Sequence, residues 1–152
     1  MKYEKSVGGI IFREEGGKEY FLLLHYTRVN DQKGKHTYWD FPKGRIEEGE
    51  SEVDTLFRET EEETGLKDVK IIEGFREKIK YFFNLKGILI SKEVVFFFCK
   101  TKTKDVKISK EHIGFGWYEY KEAKEKLDFK NSKNILTKAK EFLSHKKKLT
   151  DW

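Results

Sequence analysis

Apolar and polar residues recur along this chain with a period that changes several times. "SVGGIIF" (6–12) and "EYFLLLHYT" (19–27) are β-rich runs on either side of "REEGGK", and together they predict a β-hairpin. "VNDQKGKHT" (29–37) is mostly polar and predicts a loop leading to "YWDF". From Ser51 to Thr64 the spacing turns helical. Ser51 suits an N-cap, with Asp54 three residues on in a capping-box position. Val53, Leu56 and Phe57 form the apolar stripe, and Gly65 stands where a C-cap glycine belongs. Further strands are expected at 69–83 and 93–101, with "NLKG" (84–87) turning between them, and at 115–120. "EAKEKL" opens a helix, and 132–148 is amphipathic with Ile135, Ala139 and Phe142 on its buried face. Strands, a helix, more strands and then helices predict an α/β sandwich: a mixed sheet with a glutamate-rich helix on one face. No repeat or linker interrupts the pattern, so 1–152 reads as a single domain.

Composition adds a heavily charged surface, with 39% charged residues against 37% hydrophobic, on a chain of 152 residues that can bury a real core. The one cysteine, Cys99, lies inside "VVFFFCK"; it excludes a disulfide framework and reads as a small buried residue. No apolar stretch approaches a membrane span, and "MKYEKSVGG" has no signal-peptide core. A cytoplasmic monomer without a membrane partner is expected. The net charge of +5 favours anionic partners such as nucleotides. Lys/Glu-rich composition also occurs without any nucleic-acid role, and no stable nucleic-acid partner is expected.

A basic protein that concentrates carboxylates in "FPKGRIEEGESEVDTLFRETEEETGL" (41–66) poses a chemical question. On a helix Glu59, Glu62 and Glu63 stand at i, i+3 and i+4 and share a face, while Glu61 points elsewhere. Carboxylates about 5 Å apart repel by roughly 3 kcal/mol per pair at an effective dielectric of 20. Such a cluster persists if cations neutralise it or if water screens it. Oxygen-only ligands select hard cations, Mg²⁺ or Mn²⁺, which keep positions open for water and phosphate. A solvated acidic helix is the alternative, but Arg58 beside the cluster and the glycine-rich turn before it both suit a phosphate–metal site.

Gly44, five residues, Glu50, seven residues and then "RETEEETGL" resembles the Nudix box, G-x5-E-x7-R-E-U-x-E-E-x-G-U, where U is bulky and aliphatic. Gly44, Glu50, Arg58, Glu59, Glu62, Glu63 and Gly65 all match. Thr60 departs from the first U position, with a methyl group that can still pack, and Leu66 fills the second. The resemblance implies the Nudix α/β/α sandwich and hydrolysis of a nucleoside diphosphate linked to another moiety. It implies Glu59, Glu62 and Glu63 as metal ligands, joined by a backbone carbonyl near Lys43 or Gly44. Arg58, counted with the catalytic set, would pair with Glu50 and hold loop against helix.

"WDFPKG" (39–44), "KEVVFFF" (92–98) and "ISKEHIGFGWYEYKEAKEKLDF" (108–129) are similar, in order and spacing, to the asymmetric diadenosine tetraphosphate hydrolases of this family. That likeness implies Lys43 and Lys92 as phosphate ligands, and Glu111, with His112 beside it, approaching the metals. Either Glu63 or Glu111 would be the general base. Tyr81 and Phe129 would sandwich an adenine, with Phe83 on the same strand face as Tyr81. Tyr38 stands where related enzymes often have a histidine, and it is a further substrate-binding candidate. Other readings of the same residues are a (d)NTP pyrophosphohydrolase, an RNA 5′-end pyrophosphohydrolase and a nucleotide-sensing domain without turnover. Degenerate members of the family lose the glutamates first, so the complete trio speaks against the last.

Overall fold

A computed structural model describes residues 1–30 and 34–150. Its strands are β1 (Lys2–Glu15), β2 (Lys18–Asn30), β3 (Gly34–Asp40) and β4 (Lys43–Arg45) before helix α1 (Glu52–Thr64). After it come β5 (Lys70–Leu85), β6 (Ile88–Lys100) and β7 (His112–Tyr118), then helices α2 (Tyr120–Lys126) and α3 (Lys130–Thr150). The seven strands form one sheet with the path β3-β2-β1-β6-β5; β4 also pairs with β1, and β7 with β2. The sheet is mixed. β1 and β6 run parallel at its centre, whereas the other pairs are antiparallel.

Period-2 alternation in the two central strands divides the interior into two layers. Ile10, Phe12, Val94, Phe96 and Phe98 face one way, onto Ala123 of α2 and Ile135, Leu136 and Ala139 of α3. Val7, Ile11, Val95, Phe97 and Cys99 face the other way, onto Leu56 of α1. The result is the α/β/α sandwich expected from the sequence, with the glutamate helix on one face. Cys99 is fully buried, and burial pushes its thiol up to about 12, which leaves it unreactive.

Several boundaries differ from the sequence reading. β1, β5 and β6 are longer because their ladders run to the hairpin tips. The β1–β2 and β5–β6 connections are two-residue turns, Gly16-Gly17 and Lys86-Gly87, with positive φ at both positions. That geometry matches the twist of the flanking strands. Of the loop expected at 29–37, residues 31–33 lie outside the described residues. On both sides of them the chain is paired strand, from Leu24↔Asp40 to Asn30↔Gly34. An edge ladder needs backbone groups rather than apolar side chains, so polarity misled there. β7 begins at His112 and ends at Tyr118, and Tyr120 already belongs to α2. No helix among the described residues is long and apolar enough to cross a membrane.

Helix α1 has the predicted ends. Ser51 Oγ accepts from Asp54 N–H at 3.0 Å while Asp54 accepts from Ser51 N–H at 3.2 Å, and Gly65 caps the other end at φ 76°. The predicted stripe is wrong in two of three positions. Val53 and Phe57 are 39% and 42% exposed, and the helix instead buries Thr55, Leu56, Thr60, Glu63 and Thr64. The phase of α1 is therefore set by bringing Glu63 inward, with threonines filling the space beside it.

The first turn of α1 is tied to two strands through Glu52. Arg76 of β5 donates to it twice, at 2.8 and 2.7 Å, and Lys5 of β1 donates at 2.7 Å. The Arg76 hydrogen bonds, with Lys5 adding to them against the cost of burial, hold its carboxyl down at about 2. A depressed carboxyl contributes stability that is complete above about pH 4.5 and is lost as pH falls toward 2. Glu52→Gln should therefore lower stability by about 1 kcal/mol at pH 7, or roughly 2–4 °C, since Arg76 is half-exposed. In thermal melts the gap from wild type should shrink between pH 5 and pH 3. A gap independent of pH would mean that Glu52 acts through packing alone.

Candidate active site

The site grows from the turn after β3. Gly9 N–H donates to Pro42 O and Ile46 N–H to Lys5 O, both at 3.1 Å, so the short β4 is sewn onto β1 from both ends. β4 then presents Gly44 to α1. A Cβ at position 44 would overlap the Glu59 carboxyl group, so any side chain there must displace it. This close approach is the physical reason for glycine at 44.

Arg58 joins the loop to the helix. Its Nε and Nη2 donate to the two oxygens of Glu50, at 2.6 and 2.9 Å. Nη2 also donates to Arg45 O at 2.9 Å, and Nη1 to Glu59 at 2.7 Å and Glu62 at 3.2 Å. A guanidinium has five N–H donors, and these five bonds use them. Arg58 thus supports the site, and in this arrangement all of its donors are spent on the loop and the helix. Glu50 also accepts from Thr55 Oγ1 and from Glu47 N–H, each at 2.9 Å. The Arg58 bond, with that backbone bond, holds its carboxyl at about 2.

Behind this clamp the carboxylates differ sharply. Glu62 is exposed, Glu59 half-buried and Glu63 buried. Burial, and then the charge of Glu59, pushes the Glu63 carboxyl up to about 8, against a hydrogen bond from the Lys43 backbone. Burial also raises Glu59, where Glu62 and Glu111 add to the effect and Arg58 opposes it. Glu111 is exposed at the mouth, close enough for its charge to act on both. Glu63 Oε2 is a buried atom with no hydrogen-bond partner.

Among the described residues, no three His, Cys, Asp or Glu side chains stand ready to hold a cation. Glu59 and Glu62 are turned onto Arg58 instead. The donor set nonetheless fits a hard divalent cation. It is oxygen-only, it includes an unpartnered buried carboxylate oxygen, and neighbouring negative charge already raises the pKa of Glu59 and Glu63. Glu59, Glu62 and Glu63 are the side chains that would hold it, beside the backbone of Gly44.

The remaining sequence candidates occupy a neighbouring cleft. Lys43 Nζ meets buried Asp40 at 3.1 Å. Burial works against its charge, but Asp40 outweighs this and raises its pKa, with Tyr81 and Tyr38 also acting on it. Lys92 is only 9% exposed, so it is no solvated surface lysine. Its Nζ lies 3.5 Å from Glu4, which also accepts from Arg45 at 2.6 Å. Burial lowers the Lys92 pKa, and Lys43 and Arg45 push the same way against Glu4. Tyr81 is the direct cross-strand partner of Lys92, with Phe83 two residues on and 6.1 Å away between ring centroids. Tyr38 is stacked on Tyr26 at 4.9 Å, and half-buried Phe129 meets Tyr38 edge-on at 5.2 Å.

Four supporting residues escaped sequence reasoning. Asp40 holds Lys43 and accepts from Ser132 of α3 at 2.8 Å; the lone acid between Trp39 and Phe41 was a usable signal. Glu4 reaches the site only through the parallel register Glu4↔Lys92, which no local pattern reveals. Tyr26, whose hydroxyl donates to Phe41 O at 2.6 Å, and Ser109 look ordinary in sequence.

A family model described as "NUDIX domain" matches residues 2–139. The chain is 36% identical over 144 residues to the bis(5′-nucleosyl)-tetraphosphatase [asymmetrical] of Sus scrofa, covering 91% of this chain and 95% of the pig protein. A Caenorhabditis elegans Ap4A hydrolase, solved as a binary complex, superposes with a TM-score of 0.78 at 30% identity, over 93% of this chain and 98% of that one. An RNA pyrophosphohydrolase of Bartonella bacilliformis is 34% identical over 88 residues, 55% of this chain and 48% of its own.

Gly44→Ala should weaken Mn²⁺ binding by about 10- to 100-fold, because the new methyl displaces the Glu59 carboxyl. Calorimetric titration measures this, with melting temperature as the control for folding. Unchanged affinity would separate Glu59 from the cation.

Proposed function

Since the chain belongs to the Nudix family, we propose that it is an asymmetric dinucleoside tetraphosphate hydrolase, cutting diadenosine tetraphosphate into ATP and AMP. It is a Nudix pyrophosphohydrolase. The observation that supports the finer reading is that Lys43 stands close enough to act on a buried, partly unpartnered Glu63 and on Lys92, with Tyr81, the cross-strand partner of Lys92, acting on Lys43 in turn.

In this reading Glu59, Glu62, Glu63 and the Gly44 carbonyl hold Mg²⁺, with Mn²⁺ as a substitute. The cation supplies positive charge for phosphate oxygens and acidifies a water molecule. Without a cation, burial and Glu59 raise the Glu63 carboxyl to about 8 and disfavour its ionised form; a bound cation would favour the carboxylate, and Glu63 is then one candidate to accept a proton. Glu111, exposed at the mouth, is the other candidate base. Lys43, kept charged by Asp40, and Lys92 bind the phosphate chain. Tyr81 and Phe129 take one adenine by stacking, with Tyr38 supporting Phe129. Arg58 keeps loop and helix in register through Glu50 and the Arg45 carbonyl.

Position decides the bond that breaks. ADP and ATP are both good leaving groups, so leaving-group chemistry does not choose between inner and outer phosphorus atoms. A base held at one end and lysines at fixed places allow one register of the phosphate chain, which exposes one phosphorus to attack. The RNA pyrophosphohydrolase likeness spans a smaller share of this chain than the tetraphosphatase likeness does, so it ranks second.

Diadenosine tetraphosphate with Mg²⁺ should yield equal ATP and AMP, resolved by anion exchange. Two equivalents of ADP would refute the assignment, and brisk dNTP hydrolysis without this reaction would favour the (d)NTP alternative. Glu63→Gln should keep nucleotide binding while lowering turnover by about 10² to 10⁴. An undiminished rate would remove α1 from the chemistry.

A further inference from the structure

Two buried polar atoms in this protein lack hydrogen-bond partners and face each other. Glu63 Oε2 and His112 Nε2 are both unpartnered and stand 3.7 Å apart. The His112 side chain is fully buried, so water does not substitute for the missing partner. The Lys43 backbone acts on the Glu63 carboxyl and lowers its pKa, while Oε2 is left without a hydrogen-bond partner. Among the described residues, His112 stands beside Oε2, at 3.7 Å.

The ring itself is held on every other side. Ser109 Oγ lies 2.9 Å from His112 Nδ1 and accepts from Glu111 N–H at 3.4 Å. His112 N–H donates to Ser109 O at 3.2 Å, closing the turn before β7. Tyr26 packs edge-on against the ring at 4.6 Å. A register shift between His25 and Tyr26 brings Tyr26 opposite His112, as bulges beside functional sites often do. Ser109 accepts one hydrogen bond and has its own O–H left to donate, and Nδ1 is the acceptor within reach. Ser109 Oγ also has a second lone pair, so the contact admits either direction; with Ser109 donating, the ring hydrogen is on Nε2, pointing at Glu63.

We propose that His112, set in its Nε2–H tautomer by Ser109, is a positioning residue that fixes Oε2 of Glu63 and so orients the carboxylate for the reaction. At 3.7 Å the contact is longer than a hydrogen bond, and a small side-chain adjustment closes it. The arrangement parallels the orienting partner that a functional carboxylate or imidazole commonly needs. It also gives "SKEH" two duties: Glu111 reaches the mouth while His112 reaches the buried end of the site. Tyr26 then links the two halves of the cleft, since it touches His112 on one side and Tyr38 on the other.

The inference rests on Glu63 acting in turnover, and Glu63→Gln tests that premise separately. His112→Phe keeps ring volume and removes the donor. It should lower kcat about tenfold, leave KM within about twofold and leave the melting temperature unchanged or higher. His112→Gln, whose amide can still donate, should recover part of kcat. Ser109→Ala should lower kcat less than His112→Phe does. In the Mg²⁺-loaded, substrate-free protein, ¹⁵N NMR should show the Nε2–H tautomer at His112, with Ser109→Ala admitting the other one. Full kcat in His112→Phe, a loss confined to melting temperature, or an Nδ1–H tautomer in the loaded protein would overturn the proposal. If Glu63→Gln alone abolishes turnover, the functional reading stands without it.

Discussion

Everything chemical in this molecule depends on one guanidinium. Arg58 spends its donors on Glu50, the Arg45 carbonyl, Glu59 and Glu62, and so fixes the loop after β4 against the face of α1. In stability terms a partly exposed ion pair contributes little. Its value here is geometric, because a bidentate fork admits few orientations. With the loop fixed, Gly44 can sit against the Glu59 carboxyl, and the Lys43 backbone can reach Glu63. Arg58 also neutralises Glu59 and Glu62, two of the three carboxylates on that face.

The sheet supplies the second requirement, that distant residues meet. The central parallel pair β1–β6 sets Glu4 beside Lys92, and β4 lies across β1 so that Lys43 stands opposite Gly8. Asp40 ties Lys43 to Ser132 of α3, which links the phosphate side of the cleft to the helical layer on the far face. Glu52 does the same for α1, bridging β1 and β5. The cleft is therefore braced from both layers, whereas its mouth, with Glu62 and Glu111, stays open to solvent.

Much of this was legible in the sequence, for identifiable reasons. Capping residues act locally, so Ser51, Asp54 and Gly65 could be read one residue at a time. The spacing of Gly44, Glu50, Arg58 and the glutamates is likewise carried by one loop and one helix. The stripe Val53–Leu56–Phe57 failed because hydrophobicity was taken to set the helix phase. In α1 a buried carboxylate sets it, leaving Val53 and Phe57 outward. On either side of residues 31–33, the loop expected at 29–37 is strand instead, because an edge ladder needs backbone pairing more than apolar side chains. Glu4 and Tyr26 depend on register between strands, which no local pattern encodes; Asp40 offered a usable signal, and Ser109 acts locally, on His112 three residues on, in a turn of ordinary composition. His112 was visible only as a neighbour of Glu111, since its burial comes from Tyr26 on another strand.

The central claim is that Arg58 holds loop and helix while Glu59, Glu62 and Glu63 are left to receive a divalent cation. A crystal structure with Mn²⁺, located by its anomalous scattering, tests this most directly. The account predicts a peak between Glu59 and Glu63 beside Gly44, with Glu59 and Glu62 turned away from Arg58 Nη1 and the Arg58–Glu50 fork intact. A peak elsewhere, or a cation bound only after Arg58 leaves Glu50, would contradict it.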